Sequence, residues 1–186
     1  MWASLLSEAK RNRNGWMWSL ALLALSLGSN IDAANNIREG VQALRYEFDA
    51  LKCSSVYESE AIGFAGPNFL NLVAITETTA DLHSIKNFLK LLEDRLGRNR
   101  AQPRFSARTL DADILFYGDE IAGSGEMDLP REEIIENAFV LKPLAELLPG
   151  RIQLYTGLTY AALWDRFDQS SQRLWKVDFD WRDTFA

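Results

Sequence analysis

From Trp16 to Leu27 the chain is apolar at nearly every position, the pattern of a strand covered on both faces. Gly28-Ser29-Asn30 turns the chain, and Asp32 stands where a helix N-cap belongs. Ile37, Val41, Leu44 and Phe48 then recur at helical spacing and predict an amphipathic helix over 33–47. Cys53 to Glu58 reads as a short strand. Glu60 to Pro67 carries two glycines and a proline without periodicity, and reads as a loop. Phe69 to Thr76 is a strand with Phe69, Asn71, Val73 and Ile75 on one face. Thr79 is the expected cap of a second helix. Its buried stripe is Leu82, Ile85, Leu89, Leu92 and Leu96, and Gly97 ends it.

An arginine-bearing loop over 98–108 leads into an apolar β-type run that Asp111 and Asp113 open and Gly118 closes. Residues 119–137 are acidic and irregular. Phe139 to Leu148, with Pro143 inside, and Leu158 to Phe167 read as helices. Trp175, Val177, Phe179 and Trp181 alternate with Lys176, Asp178 and Asp180, the pattern of a half-buried strand. Strand, helix, strand, strand, helix, strand is the split βαβ order. The expected class is therefore α/β (α+β): a ferredoxin-like βαββαβ core with an extra C-terminal helix and strand. Residues 1–15 read as an N-terminal extension and 16–186 as one domain.

Composition narrows the function more than the fold. The 186 residues carry 20 basic and 26 acidic side chains, net −6, which argues against nucleic acid as a partner. A local basic patch on an acidic protein suits a small anionic ligand. The lone cysteine, Cys53, excludes an internal disulfide and reads as a small half-buried strand residue. Lys10, Arg11 and Arg13 before the first apolar run imitate a signal peptide, but that run reads better as a core strand and is too short for a membrane span. A cytoplasmic, monomeric protein is expected, without a membrane partner. His83 follows Leu82 on the second helix and is expected to face water.

The candidate chemistry is concentrated around residues 98–118. Asp111 and Asp113 point the same way from one strand, and two adjacent carboxylates repel unless a positive charge lies between them. Mg²⁺ suits such a pair, because it favours one or two carboxylates plus substrate phosphate oxygens. Arg98, Arg100, Arg104 and Arg108 supply planar forks that match phosphate. Glu93 sits at the edge of the buried helix stripe, near the unfavourable C-terminal end of the dipole. It either pairs with a neighbouring arginine or holds a ligand hydroxyl. Asn71 is the lone amide in an apolar row. It either satisfies a nearby loop backbone or reads a flat heterocycle through its donor and acceptor.

Several segments together resemble a known family. They are Leu27-Gly28-Ser29-Asn30, Gly66-Pro67-Asn68-Phe69-Leu70-Asn71, Glu93 with Gly97-Arg98-Asn99-Arg100, Arg108-Thr109-Leu110-Asp111-Ala112-Asp113-Ile114-Leu115, Leu129-Pro130, and Phe139-Val140-Leu141-Lys142-Pro143-Leu144. In this order they are similar to hydroxymethyl-dihydropterin pyrophosphokinases of folate synthesis, over about residues 22 to 150. The resemblance implies transfer of pyrophosphate from ATP to a pterin hydroxymethyl group. It implies that Asp111 and Asp113 hold two Mg²⁺ ions, with Arg98 and Arg108 acting beside them in catalysis. Ser59, Ile62, Asn71, Asp111 and Phe139 would bind the pterin. Glu93, Arg98, Arg100, Arg108, Ile114 and Arg131 would bind ATP. Phe105 stands where the family has a tryptophan in a closing loop. Departures are Arg131 for a histidine, Asn137 for an arginine, Arg104-Phe105-Ser106-Ala107-Arg108 for Arg-Trp-Gly-Pro-Arg, and acid at Glu126 or Asp128 for a basic residue.

Overall fold

The structure, a computed structural model, describes residues 20–101, 106–123 and 128–182. The N-terminal extension, Arg104, Phe105 and Glu126 lie outside the described residues. The first strand, β1 (Ala21–Ser29), is central, which is why its residues are apolar on both faces. It continues through Gly28 and Ser29, so the turn begins at Asn30 and not at Gly28. The helix α1 (Ala33–Glu47) follows. Asp32 occupies the capping position in a left-handed conformation, but its carboxylate takes the Asn35 amide and caps no backbone N–H.

The expected strand at Cys53–Glu58 is two short ones, β2 (Lys52–Cys53) and β3 (Tyr57–Ser59). Both pair with β4 (Phe69–Thr78). Between them the Ser54 N–H and hydroxyl bond across to Val73, which replaces ladder geometry at that point. The second helix, α2 (Leu82–Arg95), is capped by Asp81 and not Thr79: the Asp81 carboxylate accepts from the Ser84 N–H at 2.9 Å. Gly97 ends it at φ +84°, a conformation that favours glycine. Cys53 is half-buried and His83 exposed, as expected.

The strand β5 (Asp111–Tyr117) pairs with β1, giving the order β5-β1-β4-β3 with antiparallel neighbours throughout. This is the ferredoxin-like arrangement, with α1 and α2 packed on one face. A bulge at Leu115 places Leu115 and Phe116 together on the other face, in the second apolar cluster. Residues 119–137 are less irregular than expected. They contain a hairpin, β6 (Ala122–Gly123) with β7 (Asp128–Leu129), and a single helical turn, α3 (Glu133–Glu136). Helices α4 (Ala138–Leu147) and α5 (Tyr160–Arg166) cover the second face of the sheet.

The last strand, β8 (Leu174–Lys176), is shorter than its alternation predicted and adds to the sheet beside β3. Val177, Phe179 and Trp181 do pack on the first core, but Trp175 faces outward, 37% exposed, with its indole N–H on Glu58. No described helix is long and apolar enough to cross a membrane.

Candidate active site

The site is laid out by strand register. Gly28 of β1 stands opposite Asp111 of β5 on one side and Asn71 of β4 on the other. Directly opposed residues share a face, so a carboxylate and an amide flank a glycine across three strands. Two strand spacings separate them, about 10 Å of backbone. A Cβ on Gly28 would stand 3.1 Å from the Asn71 side-chain oxygen, so the glycine leaves the floor between them open. The next step along brings Asp113 opposite Ser26. Ala112 and Ile114 point the other way, into the core beneath α1 and α2.

Asn71 is buried, and its amide donates to the Ser59 hydroxyl at 3.0 Å. It therefore binds a strand side chain foremost; its contact with the Phe69 carbonyl is long, at 3.4 Å. Phe139, at the start of α4, lines the same space.

The charged groups form two linked sets. Arg98 is paired with both Glu93 and Asp111. Glu93 also accepts the Ala112 N–H at 3.0 Å and the Arg100 guanidinium at 3.0 Å. It is 5% exposed, so of the two readings open at the sequence level it takes the arginine partner. Burial pushes its carboxyl up, against the pull of the Ala112 N–H and Arg98. In the second set Arg131 binds Asp113 at 2.8 Å and lies 3.4 Å from Glu133. Burial and the neighbouring Asp111 charge push the Asp113 carboxyl up, and Arg131 and Arg98 oppose them. Burial also raises Glu133.

These groups surround two adjoining cavities. The larger, about 410 Å³, is lined by Ser59, Ile62, Asn71 and Phe139 at one end and by Arg98, Arg108, Asp111, Asp113 and Arg131 at the other. The smaller, about 220 Å³, is lined by Glu93, Arg98, Arg100, Asp113, Ile114 and Arg131, with Leu89 and Leu129 as apolar walls. Arg98, Asp113 and Arg131 belong to both. Every candidate site residue among the described residues thus lines one cavity or the other, and Arg104 and Phe105 lie outside them. Glu133, Ser106 and Lys90 line them too and were not singled out from the sequence. Glu133 lay in an acidic stretch without periodicity, where only its spacing from Arg131 could have marked it.

The pair of carboxylates suits Mg²⁺ as a donor set. Among the described residues no group of three or more His, Cys, Asp or Glu could hold a metal alone. A cation here would therefore complete its shell with substrate oxygens and water.

A family model described as 7,8-dihydro-6-hydroxymethylpterin-pyrophosphokinase matches residues 24–149, which contain both cavities' sheet and helix walls. The chain belongs to this family. Among its pyrophosphokinase relatives is the 2-amino-4-hydroxy-6-hydroxymethyldihydropteridine pyrophosphokinase of Bacillus subtilis, 32% identical over 157 residues, covering 82% of this chain and 89% of that protein. An Arabidopsis thaliana folate synthesis bifunctional protein is 36% identical over 129 residues, 68% of this chain. This chain spans only 27% of that bifunctional relative's length. A crystal structure of Plasmodium falciparum HPPK-DHPS with pteroate superposes with a TM-score of 0.65 over 80% of this chain and 42% of that one. At 13% identity that likeness concerns the fold alone. Within the pyrophosphokinase fold seen here, Arg131 is engaged by two carboxylates and Asn137 lines the larger cavity.

Proposed function

We propose that this protein transfers pyrophosphate from ATP to the hydroxymethyl oxygen of 6-hydroxymethyl-7,8-dihydropterin, releasing AMP, and that the transfer depends on Mg²⁺. The single observation that carries the reading is the junction of the two cavities at Asp113, Arg98 and Arg131. One cavity offers an amide, a hydroxyl and a phenyl ring to a flat heterocycle. The other offers aliphatic walls and arginines to a nucleotide. A group passing between them crosses the carboxylates.

In this reading the pterin lies between the Asn71–Ser59 edge and the Phe139 ring, with its hydroxymethyl group toward Asp111. The nucleotide base lies near Leu89, Ile114 and Leu129, and its phosphates run toward Arg98, Arg108 and Arg131. Two Mg²⁺ ions held by Asp111 and Asp113 would supply neutralisation of phosphate charge and alignment of the two substrates. The hydroxymethyl oxygen bonds to the β-phosphorus, the bond from that phosphorus to the bridging oxygen breaks, AMP keeps that oxygen, and the hydroxyl proton is released. Arg98 and Arg131 pair here with Asp111 and Asp113, and with cations on those carboxylates both guanidiniums would be available to phosphate. Glu93 keeps its end of Arg98 and so limits where the guanidinium goes. Phosphoryl transfer needs little more than this, because positioning and charge stabilisation supply most of the acceleration.

A second reading, a pterin binder without efficient transfer, is favoured by the neutral Asn137 and by the carboxylates that already occupy Arg131. AMP release measured beside pterin binding separates the two. Turnover supports the transferase, and pterin binding without nucleotide binding supports the binder.

A further inference from the structure

Asn30 is 6% exposed and lies just past the end of β1, outside both cavities. Its side chain nonetheless reaches two different walls of the cleft. The amide nitrogen donates to the Pro67 carbonyl at 3.1 Å. The amide oxygen accepts the Arg108 N–H at 2.7 Å. The backbone N–H groups of Asn30 and Ile31 both donate to the Arg108 carbonyl, at 3.0 and 3.1 Å. Pro67 ends the loop that carries Ile62 and Phe64 into the larger cavity, and Phe64 meets Phe69 edge to face, 6.2 Å between centroids. Arg108 ends the described part of the arginine loop, with its guanidinium on the Ser106 hydroxyl. Next to it, the Ser29 hydroxyl donates to the Thr109 carbonyl at 2.5 Å, with longer contacts to the Arg108 carbonyl at 3.5 Å and the Ile31 carbonyl at 3.3 Å, and has none to the Pro67 loop among the described residues.

We propose that Asn30 is a positioning residue that fixes the pterin-side loop with its amide nitrogen and the phosphate-side loop with its amide oxygen. The inference rests on the transferase reading for the names of the two ligands. The physical requirement is a donor and an acceptor at opposite ends of one planar group, which an amide has and a carboxylate lacks. Asn30→Asp keeps the acceptor for the Arg108 N–H and loses the donor to Pro67. It should therefore disturb one wall and spare the other. Ser29→Ala is its mirror, since the short Ser29 bond is to the Thr109 carbonyl on the arginine side and its loss leaves the Pro67 contact in place.

The test is a pair of Michaelis constants for each variant, with kcat measured alongside. Asn30→Asp is expected to raise the pterin KM about tenfold, as for one buried hydrogen bond lost, with the ATP KM within about twofold of wild type. Ser29→Ala is expected to do the reverse, and Asn30→Ala to raise both. A merely structural role would move both constants together in every variant, and that result, or no change in either, would overturn the proposal. Amide hydrogen exchange on the ligand-free proteins keeps the proposal testable if the wild type shows no turnover. Faster exchange over 60–68 in Asn30→Asp, with the Arg108 amide still protected, would support it. Equal changes in both segments would contradict it and leave the transferase reading untouched.

Discussion

The two halves of the cleft are built differently. The floor of the ring-sized half is sheet: Asn71, Gly28 and Ser59 are set by register, Asn71 and Ser59 are buried, and the hydrogen bond between those two is already formed in the ligand-free protein. The charged half is made of a helix end, a loop and a strand end joined by ion pairs among Glu93, Arg98, Arg100 and Asp111. It holds Arg98 and Arg131 on Asp111 and Asp113, so in the proposed reaction those pairs would have to open for cations and phosphate. A hydrogen-bonded floor on one side and ion-paired arginines on the other suit a site that receives a flat ring and a polyphosphate in separate halves.

Substitutions in the two halves should separate accordingly. Arg98→Ala removes a charge from both cavities and should lower kcat by about 10²–10³, the range for a single stabilising donor, with little effect on pterin binding. Phe139→Ala removes a ring that lines the same cavity as Asn71. It should weaken pterin binding by about 1–3 kcal/mol, the range for aromatic stacking on a heterocycle, while ATP binding is kept; calorimetric titration of each ligand checks this. Gly28→Ala adds a methyl 3.1 Å from the Asn71 oxygen. It should shift the amide by a few tenths of an ångström and raise the pterin KM by about threefold to tenfold, a loss of roughly 1 kcal/mol. An unchanged pterin KM would show that the register row does not set the floor of the cleft.

The smallest effect lies outside both halves and tests the wall that carries β3. Glu146 of α4 accepts the Ser55 N–H and hydroxyl at 2.9 Å each and the Tyr57 hydroxyl at 2.8 Å. Burial works to raise its carboxyl, but these hydrogen bonds outweigh it and leave it below the usual 4.5. A carboxyl lowered on folding stabilises the protein above its unfolded value and loses that contribution as pH falls through the lowered one. Glu146→Gln should therefore flatten the fall in Tm below about pH 4.5 while leaving kcat at neutral pH unchanged. Tm measured across pH 3 to 7 would show it.

What could be read from the sequence depended on period. Asp111 and Asp113 were legible because a two-residue step in a strand fixes their common side, and Gly97 because a stripe of five apolar residues ended there. The helix cap was not, since Thr79 and Asp81 are both short polar residues before the stripe and only the bond to Ser84 distinguishes them. The outward face of Trp175 was hidden because alternation gives no phase for a strand that joins the sheet only through β3. Glu133 was hidden because a single helical turn has too few residues to show a stripe.

The most direct measurement is AMP release by the purified protein with Mg²⁺, ATP and 6-hydroxymethyl-7,8-dihydropterin, run beside an Asp111→Ala, Asp113→Ala double variant. Turnover in the wild type and none in the folded double variant is the predicted result. Equal AMP release by both, or none by a wild type that binds both substrates, would contradict the assignment of transfer to the junction of the two cavities.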